Sequence, residues 1–212
     1  ALHRDHGSDI ALNAGNAMYF LPLKIITRDP ADLPADIRLD AYEMLMYELN
    51  RTHLGQGMDI YWHNEKEIDV SDQEYLEMCA CKTGCLGRIV ARLAAIVTDN
   101  REAEAAVADY AEEMAVAFQI ADDVLDVEHA LQEGGDFGKG VGNDIREGKK
   151  TLMAIHAAER APPEAAARLE EILWTETTTD EDVREAIEIL ESTGSVEHAR
   201  EVATELSESA RE

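Results

Sequence analysis

Phe118-Gln119-Ile120-Ala121-Asp122-Asp123-Val124-Leu125-Asp126 lies inside an apolar helical pattern that begins near Arg101 and runs to about His129. Its spacing puts Asp122 and Asp126, four apart, on one helix face, with Asp123 beside them. Three carboxylates that close repel one another, and burying an isolated one costs several kcal/mol. An apolar helix keeps such a cluster if the cluster faces water or holds cations. One or two carboxylates, with the other positions left to water and a phosphate, suit Mg2+. A solvated acidic face is the competing reading, and in a chain this acidic it stays open.

The residues downstream of the cluster favour the cation. The pattern breaks into Gly134-Gly135-Asp136-Phe137-Gly138-Lys139-Gly140-Val141-Gly142-Asn143-Asp144, a glycine-rich loop carrying a lysine. Arg146, Glu147, Gly148, Lys149, Lys150 and Thr151 come next and are expected to open a helix at about Gly148. Acidic ligands, a loop and paired lysines near a helix N-terminus together describe a site for a polyanion such as a diphosphate. Only six lysines occur in the chain, and three of them are Lys139, Lys149 and Lys150.

Composition limits the alternatives. The chain has 212 residues, enough to bury a core as one domain, and 19 basic against 45 acidic residues give a net charge of −26. That field opposes nucleic acid and anionic membrane surfaces. A lysine-poor, carboxylate-rich composition points to salt adaptation and to poor stability at low salt, where self-repulsion is unscreened. Cys79, Cys81 and Cys85 share one stretch with no fourth ligand nearby, so they are read as reduced core thiols. No apolar run approaches the ~20 residues that span a bilayer. No signal peptide is seen, and the expected location is the cytosol.

Taken in order, the chain reads as helices throughout. Asp9 to about Thr27 is apolar nearly all round and carries small residues, so it is expected to be a central core helix, kinked at Pro22. A long helix from about Ala35 to His63 carries Gln56 and Asp59 on one face. Ser71 and Glu74 form a capping box that starts a helix running to about Val97, with Lys82 and Thr83 in its middle. Lys82 in that apolar setting either snorkels or meets an anion. Beyond Arg160 come shorter helices at about 163–174, 179–192 and 195–211. No segment shows sustained period-two alternation. The expected architecture is one all-α domain over residues 1–212, an orthogonal helical bundle.

Five motifs in order resemble the trans-isoprenyl diphosphate synthases of the polyprenyl synthetase family. They are His3-Arg4-Asp5-His6-Gly7 with Ala11 to Asn16, Gly55-Gln56-Gly57-Met58-Asp59, Lys82-Thr83-Gly84, Phe118-Gln119 with Asp122 to Asp126, and Gly138 to Asp144 with Gly148 to Leu152. The resemblance implies a bundle around a central cavity. It implies condensation of an allylic diphosphate with isopentenyl diphosphate, Mg2+ as cofactor, and a homodimer. Asp122, Asp123 and Asp126 would bind the metal. Lys82, Thr83, Gln119 and Lys139 would be the catalytic and diphosphate-holding groups, with Lys149, Lys150 and Asp144 accessory and Gln56 and Asp59 lining the cavity. The loop at 134–142 would be the lid. Asn16 and Gly87 depart from the family pattern without removing a ligand.

One departure is larger. The family's first aspartate-rich motif and its two arginines should lie just upstream of His3, yet no D-D-x-x-D precedes Asp122. The expectation is that this chain lacks the family's N-terminal portion and does not turn over efficiently by itself. A non-catalytic partner subunit and a terpene cyclase are the alternatives, and Lys82-Thr83, Phe118-Gln119 and Gly138-Lys139 argue against the cyclase. By association with salt-adapted archaeal enzymes, the product expected is C20 or C25.

Overall fold

The computed structural model describes residues 2–28, 32–65, 69–132, 142–175 and 177–211, and among them all regular structure is helical. Leu2–His6 (α1) and Ser8–Phe20 (α2) lead into a 3-10 turn at Leu21–Leu23 and a short helix, Lys24–Arg28 (α3). Pro22 sits inside the 3-10 turn, where its missing N–H breaks the helical ladder as expected. The expectation of a central core helix here is not met. No residue of α2 is buried, and Leu12, Met18 and Phe20 are 70%, 65% and 62% exposed. An all-round apolar helix needs partners on several sides. The described residues give α2 little more than the Tyr19 ring stacked 4.5 Å from His53 and the Tyr19 hydroxyl donating to Leu49 O.

Ala35–Asn64 (α4) is 30 residues long and begins after Pro34. Asp72–Cys79 (α5) starts on the predicted capping box, in which the Ser71 hydroxyl accepts from Glu74 N and the Glu74 carboxylate accepts from Ser71 N. A π turn at Ala80–Gly84 then widens the helix by one residue before Cys85–Val97 (α6) resumes it. Such single π turns recur at functional sites, and this one carries Lys82 and Thr83. Arg101–Gln132 (α7) is the long helix that holds the aspartates.

Asn143–Arg146 (α8) is a short helix that the sequence pattern did not announce. The helix expected from Gly148 starts instead at Leu152 (Leu152–Arg160, α9), with Thr151 Oγ1 accepting from Ala154 N as the cap. Gly148 cannot open it, because its φ is +65° and a Cβ there would stand 2.2 Å from Leu173 O. Lys149 and Lys150 therefore lie outside any helix, ahead of α9. Pro163–Trp174 (α10), Asp180–Ser192 (α11) and Ser195–Ser209 (α12) complete the bundle close to the predicted limits.

α7 runs between α6 and α12, and α4 packs on α6 and on the π turn. The main core joins α5, α7 and α9 to α11 through residues such as Tyr75, Ile120, Leu152, Ile172 and Ile187. A smaller cluster around Ile37, Ala41, Met44 and Ile96 fixes the start of α4 against α6. Glu48 on α4 is fully buried and accepts from Arg88 Nε at 3.0 Å, Arg92 Nη1 at 2.8 Å and Arg51 Nη1 at 3.1 Å. Those arginines reach on to Glu112, Asp109 and Glu104 of α7, so one network centred on buried Glu48 ties three helices together. Cys79, Cys81 and Cys85 are free thiols, as read from the sequence. None of the helices among the described residues is long and apolar enough to cross a membrane.

Candidate diphosphate site

α4 reaches the π turn closely because residue 55 is glycine. A Cβ on Gly55 would stand 2.4 Å from Lys82 N, a distance no packed structure accepts. This seat sets the height of Lys82, whose ammonium donates to Asp59 Oδ2 at 2.6 Å. Asp59 and Lys82, both sequence candidates, thus meet across the α4 to π-turn junction. Gln56, half-buried one residue past the seat, is not among the described residues that line the adjoining cavity.

A chain of side chains links the other candidates. Thr83 Oγ1 donates to Gln119 Oε1 at 3.3 Å, and Gln119 Nε2 donates to Asp123 Oδ1 at 2.9 Å. Asp123 Oδ1 also takes Lys149 Nζ at 2.6 Å, and Lys149 Nζ reaches Asp144 Oδ2 at 3.0 Å. Asp144 N in turn donates to Asp126 Oδ2 at 3.2 Å and Asn143 N to Asp126 Oδ1 at 3.4 Å, so Asp126 caps α8. Asp123 Oδ2 accepts from the Tyr75 hydroxyl at 3.1 Å.

Charge follows this wiring. Burial pushes the Asp123 carboxyl up, while the Lys149 ammonium pulls against it. Burial works against the Lys149 charge, but the Asp123 and Asp144 carboxylates outweigh it and hold the ammonium above its ordinary value. Burial also raises Asp126, opposed by the Asp144 N–H. Burial pushes the Cys79 thiol up to about 12, which keeps it a packing residue.

The three aspartates separate by role. Asp123 is 2% exposed and both its oxygens are taken by donors. Asp122 is exposed and Asp126 half-buried. Among the described residues no group of three acidic, histidine or cysteine side chains converges on one metal position. Consecutive residues on a helix point about 100° apart, so in this structure Asp123 turns to Lys149 and Tyr75 while Asp122 turns to solvent. Asp122 and Asp126 offer oxygens that suit a hard divalent cation, Asp126 in exchange for the Asn143 and Asp144 amides it accepts from here. The two stand four apart on one face of α7, outside the buried core, and offer only oxygens. Lys150 lines the same cavity as Lys82 and Lys149, and it is largely buried, with its ammonium donating to Trp62 O, so it also holds α4 to the segment before α9. Lys139 and the lid expected at 134–142 lie outside the described residues, apart from Gly142 at the N-cap of α8.

A cavity of about 460 Å³ opens beside this assembly, lined by Lys82, Asp59, Lys149, Asp144, His63 and Glu147 among others. Lysines and acids face one another there, a setting for a charged ligand and its counter-ions. A more apolar groove of about 530 Å³ runs between α7 and α12, past Phe118, Ala121 and Leu125. Sequence reasoning missed Tyr75. Its only signal was register, seven residues before Lys82 in one helical stretch.

Known proteins resemble this chain in both sequence and fold. The polyprenyl synthetase family model matches residues 1–190. The short chain isoprenyl diphosphate synthase of Methanocaldococcus jannaschii is 34% identical over 200 residues, 94% of this chain and 58% of that protein. A geranylgeranyl pyrophosphate synthase of Apiospora sacchari is 38% identical over 210 residues, 99% of this chain and 58% of that one. The geranylgeranyl pyrophosphate synthetase structure from Pyrococcus horikoshii superposes with a TM-score of 0.85 at 33% identity, over 99% of this chain and 62% of that one. The chain thus spans about three fifths of the length of these relatives. By fold, motif order and sequence identity it belongs to the polyprenyl synthetase family.

Proposed function

We propose that the protein is part of a trans-prenyl diphosphate synthase, which condenses an allylic diphosphate with isopentenyl diphosphate into an all-trans prenyl diphosphate. The observation that carries the reading is the hydrogen-bonded line from Thr83 through Gln119, Asp123, Lys149 and Asp144 to Asp126, beside Lys82. Lys82 and Lys149 line one cavity with Asp59 and Asp144, and the line ties Gln119 and Asp126 to that wall, a combination of cations and acids that suits a diphosphate with its counter-ions.

Ionisation of the allylic C–O bond leaves a carbocation and a diphosphate. Lys82 and Lys149 stabilise the charge that grows on the departing oxygen. Gln119 donates from an amide whose two ends are fixed by Thr83 and Asp123. Asp122 and Asp126 would hold a divalent cation, Mg2+ by the hardness of the donors, which when bound neutralises diphosphate oxygens. The apolar face around Phe118 and Leu125, 71% and 46% exposed, is suited to the prenyl chain, where it offers the carbocation no nucleophile.

Product length and assembly have their own support. A C20 product is supported by the geranylgeranyl names of relatives, and C25 by a geranylfarnesyl diphosphate synthase of Natronomonas pharaonis that is 31% identical. A homodimer is supported by apolar surface on α2 and α4, where Leu12, Met18, Tyr42 and Tyr47 are exposed. The test is turnover of the full encoded protein in molar KCl with Mg2+, farnesyl diphosphate and labelled isopentenyl diphosphate. Elongated product that Asp122→Ala reduces by orders of magnitude is expected. A folded protein that makes none contradicts the reading.

A further inference from the structure

We propose that Tyr75 is a positioning residue for the diphosphate site, acting through Asp123 on Lys149 and Gln119. The inference rests on the diphosphate reading of that site and adds a residue to it.

The Tyr75 ring is 1% exposed, packed in the main core near the start of α5. The Ser71–Glu74 capping box fixes that turn, and Tyr75 N donates to Ser71 O at 3.0 Å. The phenol is therefore held by backbone geometry as well as by packing. Its hydroxyl donates to Asp123 Oδ2 at 3.1 Å, while Oδ1 of the same carboxylate receives Gln119 Nε2 and Lys149 Nζ. One end of the carboxylate is thus pinned by the core and the other end presents a fixed acceptor to two diphosphate-site donors.

Removing the hydroxyl leaves Oδ2 an acceptor without this donor, in a residue that is 2% exposed. A buried carboxylate oxygen does not stay unmatched when a cation is adjacent. Lys149 would swing to straddle both oxygens and draw away from Asp144, whose N–H holds Asp126. The phenol therefore sets the register of groups on α7 and on the segment before α9. A tyrosine that merely filled volume would need no hydroxyl here.

The test is a double-mutant cycle on binding of inorganic pyrophosphate with Mg2+, read by calorimetry on the full encoded protein. Tyr75→Phe is expected to weaken binding about tenfold, the size of one buried charge-assisted hydrogen bond. In a Lys149→Met background the same change is expected to matter less than about twofold, since the charged group it positions is gone and only the neutral Gln119 amide is left. Equal losses in both backgrounds, or no loss in the native background, overturn the proposal, because a packing defect would weaken both alike. Native chain that binds no pyrophosphate brings down the diphosphate reading and this proposal with it. Native binding with unchanged Tyr75→Phe binding removes only the role of Tyr75. Should Tyr75→Phe not fold, tyrosine 13Cζ NMR of chain carrying native Tyr75 supplies the answer. The Tyr75 resonance is expected to move in Lys149→Met, and an unmoved resonance overturns the coupling.

Discussion

Two buried carboxylates, Glu48 and Asp123, meet burial in opposite ways. Glu48 sits among three arginines on α4 and α6, and those arginines are matched again by acids of α7. Asp123 has one ammonium, one amide and one phenol, and its ammonium lines a cavity. The first is surrounded by more positive charge than it can use and holds helices together. The second is matched by a single lysine, which it shares with Asp144 and which a ligand in the cavity can also reach. Burial opposes the charge at both, but the Arg92 and Arg88 hydrogen bonds hold Glu48 below its ordinary value while Asp123 stays above its own. A buried charge builds where it is overmatched and serves a site where it is barely matched.

The largest expected effect breaks the first region. Glu48→Gln leaves three guanidiniums facing a neutral amide and should destabilise the fold by about 3–5 kcal/mol, measured by denaturant unfolding in high salt. A loss below about 1 kcal/mol would mean that the network does not hold the helices together.

A smaller effect falls on the second region alone. Gly55→Ala places a methyl 2.4 Å from Lys82 N, and relief of that overlap should cost about 1–3 kcal/mol and weaken pyrophosphate binding. Gly57→Ala meets nothing within 4 Å and should be neutral or stabilise α4 by up to about 1 kcal/mol. Equal behaviour of the two variants would remove the argument that the seat positions Lys82.

The smallest effect is in pH. A carboxyl whose value is lowered on folding stabilises above its unfolded value and loses that contribution as pH falls through the folded one. Glu48 is such a group, with an ordinary value of 4.5. Native stability should therefore decline on acidification below about 4.5, and the Glu48→Gln profile should be flatter there. Parallel profiles would contradict the arginine-held carboxylate.

Much of the molecule was legible in the sequence, and the gaps have physical causes. The helices of α4 to α7 and α10 to α12 follow from period, proline, glycine and the Ser71–Glu74 cap, which act locally, while the Thr179–Asp182 capping box that starts α11 went unread. Asp122 and Asp123 look alike in sequence, yet one is exposed and the other a buried hub, because their directions differ by a helical step. Lys149 and Lys150 look alike too, and the turn at Gly148 sends one to Asp123 and the other to the Trp62 carbonyl. Tyr75 could not be told from a packing aromatic, since its partner lies 48 residues away. The helix at Ser8–Phe20 reads as core from composition alone, but burial depends on what packs beside it, and composition carries no such information.

The contrast between the two carboxylates is tested most directly by one calorimetric comparison. Asp123→Asn and Glu48→Gln would be titrated with inorganic pyrophosphate and Mg2+ at a salt concentration where both are folded. Asp123→Asn should lose at least about tenfold in affinity, as a charge-assisted hydrogen bond to Lys149 is removed, while Glu48→Gln stays within about twofold of the native chain. Equal losses in the two variants, or an Asp123→Asn protein that binds as the native one does, would contradict the assignment of Asp123 to the site.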